Sequence, residues 1–374
     1  MEQVGIGMVG TAFMGAAHSQ AWRTVNRVFE LPVRARMAVI CGRDPGRTAA
    51  AAERLGWASY ETDWRALIAR DDVQLVDICT PGDTHAEIAI AALRAGKSVL
   101  CEKPLANTLA EAEAMAAAAR ESGTVAMTGF TYRRLPALAH MAKLVAAGRI
   151  GDVRQVRATY LQDWLADPAA PLTWRLRAEH AGSGALGDLG AHLVDAARYL
   201  TGQELTAVSA LTETFVPERP TPDGGTGRVD VDDAALFLAR FSGGAIGTFE
   251  ATRYATGRKN GLRIELNGTR GTLAFDLERL NELEFHDGTV PATEAGFTRI
   301  LVTEPDHPYL SAWWPPGHGL GYEHAFTHQA RDLLAALGGD GTVRPSFDDG
   351  LAVQRVLDAV ARSAADGTWT SITR

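Results

Sequence analysis

The sequence predicts an α/β N-terminal domain with a doubly wound parallel sheet, followed by an α+β domain with a large, mostly antiparallel sheet. Apolar strands alternate with helical segments through about Thr128, which is typical of a parallel sheet with helices on both faces. Beyond that point, strands of alternating polarity follow one another, which favours an antiparallel sheet carrying helices on one face. We expect the first domain to cover residues 1–130 and the second to cover residues 131–374.

The composition restricts the kind of partner. The chain has 374 residues and a formal net charge of −8, without a block of lysine or arginine. We therefore expect a small-molecule ligand and no nucleic-acid partner. Cys41, Cys79 and Cys101 lie at or near the ends of predicted buried strands, without the spacing of zinc ligands, so we expect reduced core residues. Since no signal peptide or long apolar run stands out, we expect a cytoplasmic protein without a membrane partner.

A glycine-rich turn follows the first predicted strand. Val4–Val9 is apolar, and the turn from Gly10 to Gly15 opens a helix, which is the context of dinucleotide-binding motifs. Ala12 stands where a middle glycine is usual, so a methyl group lies where backbone would approach a pyrophosphate. We expect the helix N-terminal amides to bind the phosphates.

The second strand, Met37–Cys41, ends without the usual acidic residue. A carboxylate there would hold the ribose 2′-hydroxyl of NAD, but Gly42 takes its place. Arg43 can pair with the 2′-phosphate of NADP or stack on adenine, and a solvent-exposed loop arginine is the alternative. Asp44 remains a candidate for the displaced acid. The pattern favours NADP over NAD.

Two further strands end in residues that suit a ligand crevice. Asp77–Cys79 precedes a Thr-Pro step, and Ser98–Cys101 precedes a Glu-Lys-Pro step, with a helix predicted over Glu87–Ala95 between them. In an open parallel sheet, ligands bind beyond the carboxyl ends of the strands. A solvated Glu-Lys loop pair is the alternative. The residues expected at the crevice are Thr80, Pro81, Glu102 and Lys103.

A second glycine-rich segment, Gly182 to His192, leads into a helix that is predicted to stop at Gly202. Asp188 and His192 are four residues apart, so on a helix they share one face. The carboxylate can orient the imidazole, whose ordinary pKa suits a general base. Such a pair by itself is more often a surface ion pair.

Polar and aromatic residues at two further strand ends are candidates for binding a hydroxylated ligand. One group follows the strand Val125–Phe130, and the other ends the strand that begins near Val153. Large aromatic residues are more often core or interface residues, but they also offer flat faces to a sugar ring. The candidates at these strand ends are Tyr132, Gln162, Asp163 and Trp164, and Trp174 and Arg175 farther along the chain are further candidates.

The rest of the chain carries weaker signals. His324 and His328 lie four residues apart on a predicted helix, and we expect a helix face near the pocket rather than a metal site. Residues 216–229 and 305–321 are rich in proline and glycine, so we expect long loops there. The remaining predicted elements are strands Ala234–Phe241, Ala245–Ala251, Leu262–Leu266 and Thr272–Phe275, and a last helix over Leu351–Ala365.

The ordered motifs Thr80-Pro81, His85, Ala-Leu-x-Ala-Gly-Lys97 and Glu-Lys-Pro resemble the Gfo/Idh/MocA family of nicotinamide-dependent sugar dehydrogenases. Tyr-Leu-Gln-Asp-Trp164, the Trp-Arg step and the glycine-rich segment resemble the members of that family that oxidise carbon 3 of a sugar. The resemblance covers nearly the whole chain.

The resemblance implies a Rossmann fold and an NAD(P)-dependent dehydrogenase that oxidises a secondary hydroxyl of a pyranose, an anhydrosugar or a cyclitol such as inositol. The alternative from another class of protein is a catalytically inactive sensor of sugar and nucleotide on the same fold. His192 would be the base, Lys103 would stabilise the developing alkoxide, and Asp188 would position either residue, without a metal. A homodimer or homotetramer through the second sheet is also implied. The cofactor-binding residues would be Gly10, Ala12, Phe13, Met14, Arg43, Thr80, Pro81, His85, Glu102 and Lys103.

Overall fold

The fold is known from a computed structural model, which describes residues 2–339 and 342–373. The outer ends of the two expected domains, Met1 and Arg374, lie outside the described residues. The chain divides into two compact units. The first contains the chain up to Arg134 together with Gly321–Leu351, and the second contains Leu135–Leu320 together with the chain from Ala352 onward.

The segment Gly321–Leu351 was expected in the second domain, but it groups with the first unit. Its helix places Phe326, Leu333 and Leu334 in the same buried apolar cluster as residues of the N-terminal sheet. Burial of this apolar surface outweighs proximity along the chain, because the hydrophobic effect depends on the area removed from water and not on sequence distance.

The first unit is built on a six-stranded parallel sheet, as the sequence predicts. Apolar clusters cover both faces of this sheet, which is the doubly wound arrangement. Its strands are β1 (Glu2–Val9), β2 (Val33–Cys41), β3 (Tyr60–Glu61), β4 (Leu75–Ile78), β5 (Ser98–Cys101) and β6 (Ala126–Thr128). Its N-terminal helices are α1 (Phe13–Val28), α2 (Pro45–Leu55), α3 (Trp64–Ile68), α4 (His85–Arg94) and α5 (Leu109–Ser122).

The strand order is β3-β2-β1-β4-β5-β6, so the connections reverse direction between β1 and β4. Such a switch point opens a crevice beyond the carboxyl ends of the strands, where ligands bind in open α/β sheets. The turn after β1, the Thr-Pro step after β4 and the Glu-Lys-Pro step after β5 all lie at this end of the sheet.

The second unit is built on a nine-stranded sheet in which only β7 and β12 run parallel as neighbours. Its strands are β7 (Val153–Leu161), β8 (Leu205–Glu213), β11 (Ala234–Phe241), β12 (Ile246–Thr252), β13 (Gly261–Gly268), β14 (Gly271–Asp276), β15 (Glu282–Asp287), β16 (Thr298–Leu301) and β17 (Thr370–Ser371), beside a separate pair, β9 (Glu218–Pro220) and β10 (Thr226–Arg228).

The remaining α-helices of the described residues are α6 (Pro136–Ala146), α7 (Ala178–Ala181), α8 (Ala191–Thr201), α9 (Tyr322–Leu337) and α10 (Phe347–Asp366), and a π-helix covers Leu186–Gly190.

Most of the predicted elements are present, with differences at their ends. The strand predicted over Val125–Phe130 is shorter, because the chain turns into a 3-10 helix at Thr131. The loop predicted over residues 216–229 contains β9 and β10, and β8 has no counterpart among the predicted strands. The three cysteines are free and buried, as expected. Among the described residues, no helix is both long enough and apolar enough to cross a membrane.

Candidate active site

The turn between β1 and α1 requires its glycines for steric reasons. Gly10 has a φ of 118°, a conformation that disfavours any residue with a Cβ, and an added Cβ would lie 2.7 Å from the Cys79 carbonyl oxygen. A Cβ on Gly15 would overlap the carbonyl oxygen of Gly10. The turn therefore passes close to the end of β4 and α1 begins close against the turn, which is the shape of a dinucleotide-binding turn.

The N-terminus of α1 leaves its first amides available to a ligand. Ala12 is the N-cap residue and makes no side-chain capping hydrogen bond. The first N–H groups of a helix have no partner within the helix, and together with the helix dipole they favour an anion such as a pyrophosphate. Phe13 is 66% exposed beside them, and Met14 is partly buried. These features fit the phosphates and the adjoining part of a dinucleotide.

The residues after β2 include the cap of the next helix. The Asp44 carboxylate accepts a hydrogen bond of 2.8 Å from the Arg47 backbone N–H and caps α2. Asp44 thus has a capping role, and its role as the displaced acid stays a prediction. Arg43 is exposed at this strand end, directly after Gly42.

His85 connects the loops that follow β4 and β5. Its Nε2 lies 2.9 Å from the carbonyl oxygen of Thr80, and its Nδ1 lies 3.1 Å from that of Pro104. Thr80 also receives a hydrogen bond from the Thr84 hydroxyl. The side chain of His85 is buried, so its role is to hold the two loops together and not to contact a ligand directly.

Glu102 and Lys103 differ in their surroundings, although they are adjacent. Glu102 is 5% exposed, and its carboxylate oxygens lie near His18 Nε2 and the Lys103 backbone N–H. Glu102 therefore supports the loop from inside, whereas the sequence placed it among the residues that contact the cofactor. Lys103 is partly exposed in the same loop.

Tyr132 lies in the 3-10 helix after β6 and is mostly buried. Its ring packs edge-on against Tyr322, with 6.3 Å between the ring centroids. Burial, followed by the influence of Tyr132, raises the pKa of Tyr322, so this phenol stays protonated. Tyr132 thus belongs to the first unit, beside α9.

In the second unit, Asp188 and His192 stand out from their neighbours by exposure. Between Leu186 and Val194, these two residues are partly exposed and the other seven are buried. Asp188 lies on the π-helix and His192 on the first turn of α8. Single-turn π-helices occur frequently at functional sites. The pair therefore presents an accessible carboxylate and an accessible imidazole four residues apart, and its use as a site stays a prediction.

The turn that carries Asp188 is held by residues that the sequence reasoning did not find. The Asp232 carboxylate accepts hydrogen bonds from the Gly184 and Leu186 backbone N–H groups, at 2.7 and 2.8 Å. Arg253 is 1% exposed and donates to the Asp232 carbonyl oxygen. Burial lowers the pKa of the Arg253 guanidinium, and the charge of Asp188 opposes this shift, so the two groups act on each other electrostatically.

A chain of hydrogen bonds lies next to His192. Trp164 Nε1 donates to Gln162 Oε1 at 3.0 Å, Gln162 Nε2 donates to Asn260 Oδ1 at 2.8 Å, and the Tyr160 hydroxyl donates to the same oxygen at 2.8 Å. The Tyr160 ring packs edge-on against His192, with 5.8 Å between centroids. Asn260 was missed because its partners lie about a hundred residues away along the chain.

Asp163 has a different partner from the one expected. Its carboxylate pairs with Lys259 Nζ at 2.7 Å and accepts the Gly257 backbone N–H at 3.0 Å. These contacts lower the pKa of Asp163. Asp163 therefore anchors the loop after β12, while Gln162 lies in the hydrogen-bonded chain. Arg175 stacks on Trp174, with 4.4 Å from the guanidinium carbon to the ring centroid.

The two histidines on α9 contact the backbone at two separate places. His324 Nδ1 accepts the Gly321 backbone N–H, and His328 Nδ1 lies 2.9 Å from the Arg134 carbonyl oxygen. His328 is fully buried, and burial lowers its pKa to about 4. Each ring is thus bonded to the backbone.

Two family models match the chain. A model described as an oxidoreductase family with an NAD-binding Rossmann fold matches residues 4–130, and one described as the GFO/IDH/MocA C-terminal domain matches residues 138–274. Together they cover most of the chain and agree with the position of the two sheets.

Solved structures and curated proteins give closer comparisons. The crystal structure of an oxidoreductase domain protein from Kribbella flavida is 62% identical, with a TM-score of 0.98 and 100% coverage of both chains. Levoglucosan dehydrogenase from Pseudarthrobacter phenanthrenivorans is 43% identical over 100% of this chain and 99% of its own length. A structure of levoglucosan dehydrogenase with NADH and levoglucosan has a TM-score of 0.97 at 43% identity and 100% coverage of both chains. Inositol 2-dehydrogenase from Rhizobium meliloti is 28% identical over 99% of each chain.

Proposed function

Because this chain belongs to the Gfo/Idh/MocA family of oxidoreductases, we propose that it is an NAD(H)-dependent dehydrogenase that oxidises a ring secondary hydroxyl of a pyranose or anhydropyranose such as levoglucosan. Carbon 3 is the proposed position. The observation that carries the proposal is the accessible Asp188–His192 pair beside a chain of polar and aromatic side chains. Alcohol oxidation needs a base at such a position, and sugar recognition needs such side chains.

Three residues are assigned to the reaction. His192 takes the hydroxyl proton as the hydride leaves, and Lys103 donates a hydrogen bond to the reacting oxygen and stabilises its developing negative charge. Asp188 orients the His192 imidazole. The bound nicotinamide, when present, supplies the acceptor for the hydride.

Two accessible tryptophans of the second unit favour a rigid ring as the substrate. Trp164 and Trp174 are each partly exposed and offer flat apolar faces to ring carbons. Gln162, Tyr132 and Arg175 are proposed to bind the hydroxyls that flank the reacting one. A rigid ring loses less conformational entropy on binding than an open-chain polyol, so more of the binding energy aligns the reacting carbon.

A panel of sugars tests the proposed substrate. Levoglucosan, glucose, myo-inositol and sorbitol are assayed by nicotinamide absorbance, and the product of the best substrate is identified by NMR. We expect levoglucosan or another pyranose to give the highest kcat/KM, sorbitol to be poor, and the product to be a ring ketone. A lactone would contradict oxidation at carbon 3, and a clear preference for myo-inositol would assign the chain to the inositol dehydrogenases.

The proposed cofactor is NAD(H). The NADH complex of levoglucosan dehydrogenase supports this choice, although the Gly42-Arg43 sequence favours NADP. We propose that Arg43 determines how well NADP competes, since its exposed guanidinium can reach a 2′-phosphate but finds no such group on NAD.

Replacement of Arg43 by alanine should therefore raise the KM for NADP about tenfold or more and change the KM for NAD little, since a hydrogen bond to a charged group contributes about 1.5–3 kcal/mol. Steady-state kinetics with each nucleotide measure the two effects. Arg47→Ala, on the exposed surface of α2, serves as the control. Equal increases for both nucleotides would indicate stacking on adenine instead.

We also propose that the chain forms a homodimer or homotetramer through the exposed face of the nine-stranded sheet. Leu211 and Leu236 are direct cross-strand partners on that face, and Leu238 and Ile246 lie nearby. All four are between 45% and 72% exposed. An apolar group of this kind on a sheet face is typical of an interface. Sedimentation of the purified protein measures its oligomeric state, and a stable monomer would contradict the proposal.

A further inference from the structure

Three buried ionisable residues connect α1, β4 and the loop after β5. His18 Nδ1 lies 2.9 and 3.0 Å from the two Asp77 carboxylate oxygens, and His18 Nε2 lies 3.1 Å from Glu102 Oε1. His18, Asp77 and Glu102 are 2%, 0% and 5% exposed. We call them the buried triad.

Both ring nitrogens of His18 face carboxylate oxygens. A neutral imidazole has only one N–H to donate, so the protonated ring is the form that can donate to both carboxyl groups. Burial by itself lowers the pKa of His18, but the charges and hydrogen bonds of Asp77 and Cys79 outweigh it and raise this pKa well above its ordinary value. The geometry and this shift both favour a protonated imidazole between the two carboxyl groups.

Other side chains pack around the triad, and the Cys79 thiol also interacts with His18. Trp22 Nε1 on α1 donates to Asp77 at 2.8 Å, and the Cys79 thiol lies 3.5 Å from the same carboxylate. On α9, the centroid of the Phe326 ring lies 5.4 Å from the centroid of the His18 ring. The charges of Glu102 and His18 both act on the pKa of the Tyr322 phenol.

His18, Asp77 and Cys79 also have the residue types of a metal site, but the observed contacts disfavour one. Both imidazole nitrogens are already taken by carboxylates, whereas a metal-binding imidazole needs one free lone pair.

We propose that His18 is a positioning residue for Lys103. His18 fixes one oxygen of the Glu102 carboxylate, and the other oxygen accepts the Lys103 backbone N–H at 3.3 Å. A Cβ on Gly129 would lie 2.7 Å from Glu102 Oε1, so the neighbouring strand end also leaves this carboxylate little freedom. Through these contacts, α1, whose N-terminus forms the nucleotide-binding turn, is tied to the loop that presents the catalytic lysine. This inference rests on the role of Lys103 in the proposed function.

A His18→Gln variant tests the inference, because glutamine keeps one hydrogen bond but cannot bridge two carboxylates as a cation. We expect kcat to fall about tenfold or more, and the dissociation constant for NADH to change less than about threefold, since the interaction acts on the reacting lysine and not on nucleotide binding. His328→Gln is the matched control: it removes a buried but neutral histidine from the same unit, and it should leave kcat unchanged.

The same change in a Lys103→Met background distinguishes positioning of the lysine from general damage. If His18 acts through Lys103, His18→Gln should reduce kcat much less in that background than in the wild type. Equal reductions in both backgrounds would overturn the inference. If Lys103→Met itself had full activity, the proposed function would fail instead, so the two failures are distinguishable.

The pH dependence of stability provides a measurement that does not depend on turnover. When folding raises the pKa of a group, the bound proton stabilises the folded state. For His18, this stabilisation is fully present below the pKa of the unfolded state, near 6.5, and it is lost as the pH rises through the pKa of the folded state. The difference in Tm between wild type and His18→Gln should therefore shrink as the pH becomes alkaline, and a pH-independent difference would contradict the protonated bridge. If His18→Gln does not fold, Glu102→Gln breaks the bridge from its other end, and the same double-variant comparison applies.

Discussion

Replacement of Lys103 by methionine is expected to lower turnover about a hundredfold or more, because one preorganised hydrogen-bond donor to a developing oxyanion commonly contributes that much. Methionine keeps much of the length of the side chain and removes the charge. Nucleotide binding should persist, since the glycine turn and the N-terminal amides of α1 are not altered. Single-turnover absorbance at saturating sugar measures the hydride-transfer step, and NADH fluorescence measures binding.

Lys97→Met is the matched control for this prediction. The Lys97 ammonium donates to the carbonyl oxygens of Arg70 and Val73, at 2.9 and 2.7 Å, so its role is to hold backbone in the same unit. This variant should lower the melting temperature without a comparable loss of turnover. Wild-type hydride transfer in the Lys103 variant would remove this lysine from the mechanism.

Replacement of His192 by alanine is expected to suppress oxidation most strongly near neutral pH and less at high pH, where hydroxide partly replaces the base. A positioned general base typically contributes about 10²–10⁴-fold, so the loss at neutral pH should lie in that range. The Tyr160 ring, which packs against His192, is not altered by this change, so it still lines the space that the imidazole leaves. The pH profile of kcat is the measurement.

His286→Ala in β15 is the control for this change, because His286 is a partly exposed histidine of the same unit whose ring packs against Phe297. Its pH profile should match that of the wild type. If the His192 variant also kept the wild-type shape of the profile, the proton would have to be assigned to another group, with Lys103 as the first candidate.

Local patterns in the sequence were sufficient to predict the two sheets. Short apolar runs predicted β1 and β5, and alternation of polarity predicted β11, since both patterns depend only on neighbours along the chain. The glycine turn was recognisable for the same reason, and Gly10 has the positive φ that such a turn requires. The Asp188–His192 spacing predicted one shared helix face, and both side chains are partly exposed.

Only the tertiary structure decided which polar groups pair. Asp44 caps α2 and Asp163 binds Lys259, and neither contact could be predicted from the position of the carboxylate in the sequence. His18, Asp77 and Glu102 form one buried triad although up to 84 residues separate them along the chain. A sequence shows which side chains can donate, accept or carry charge, but a hydrogen bond depends on distances that arise only when separate strands and helices pack together.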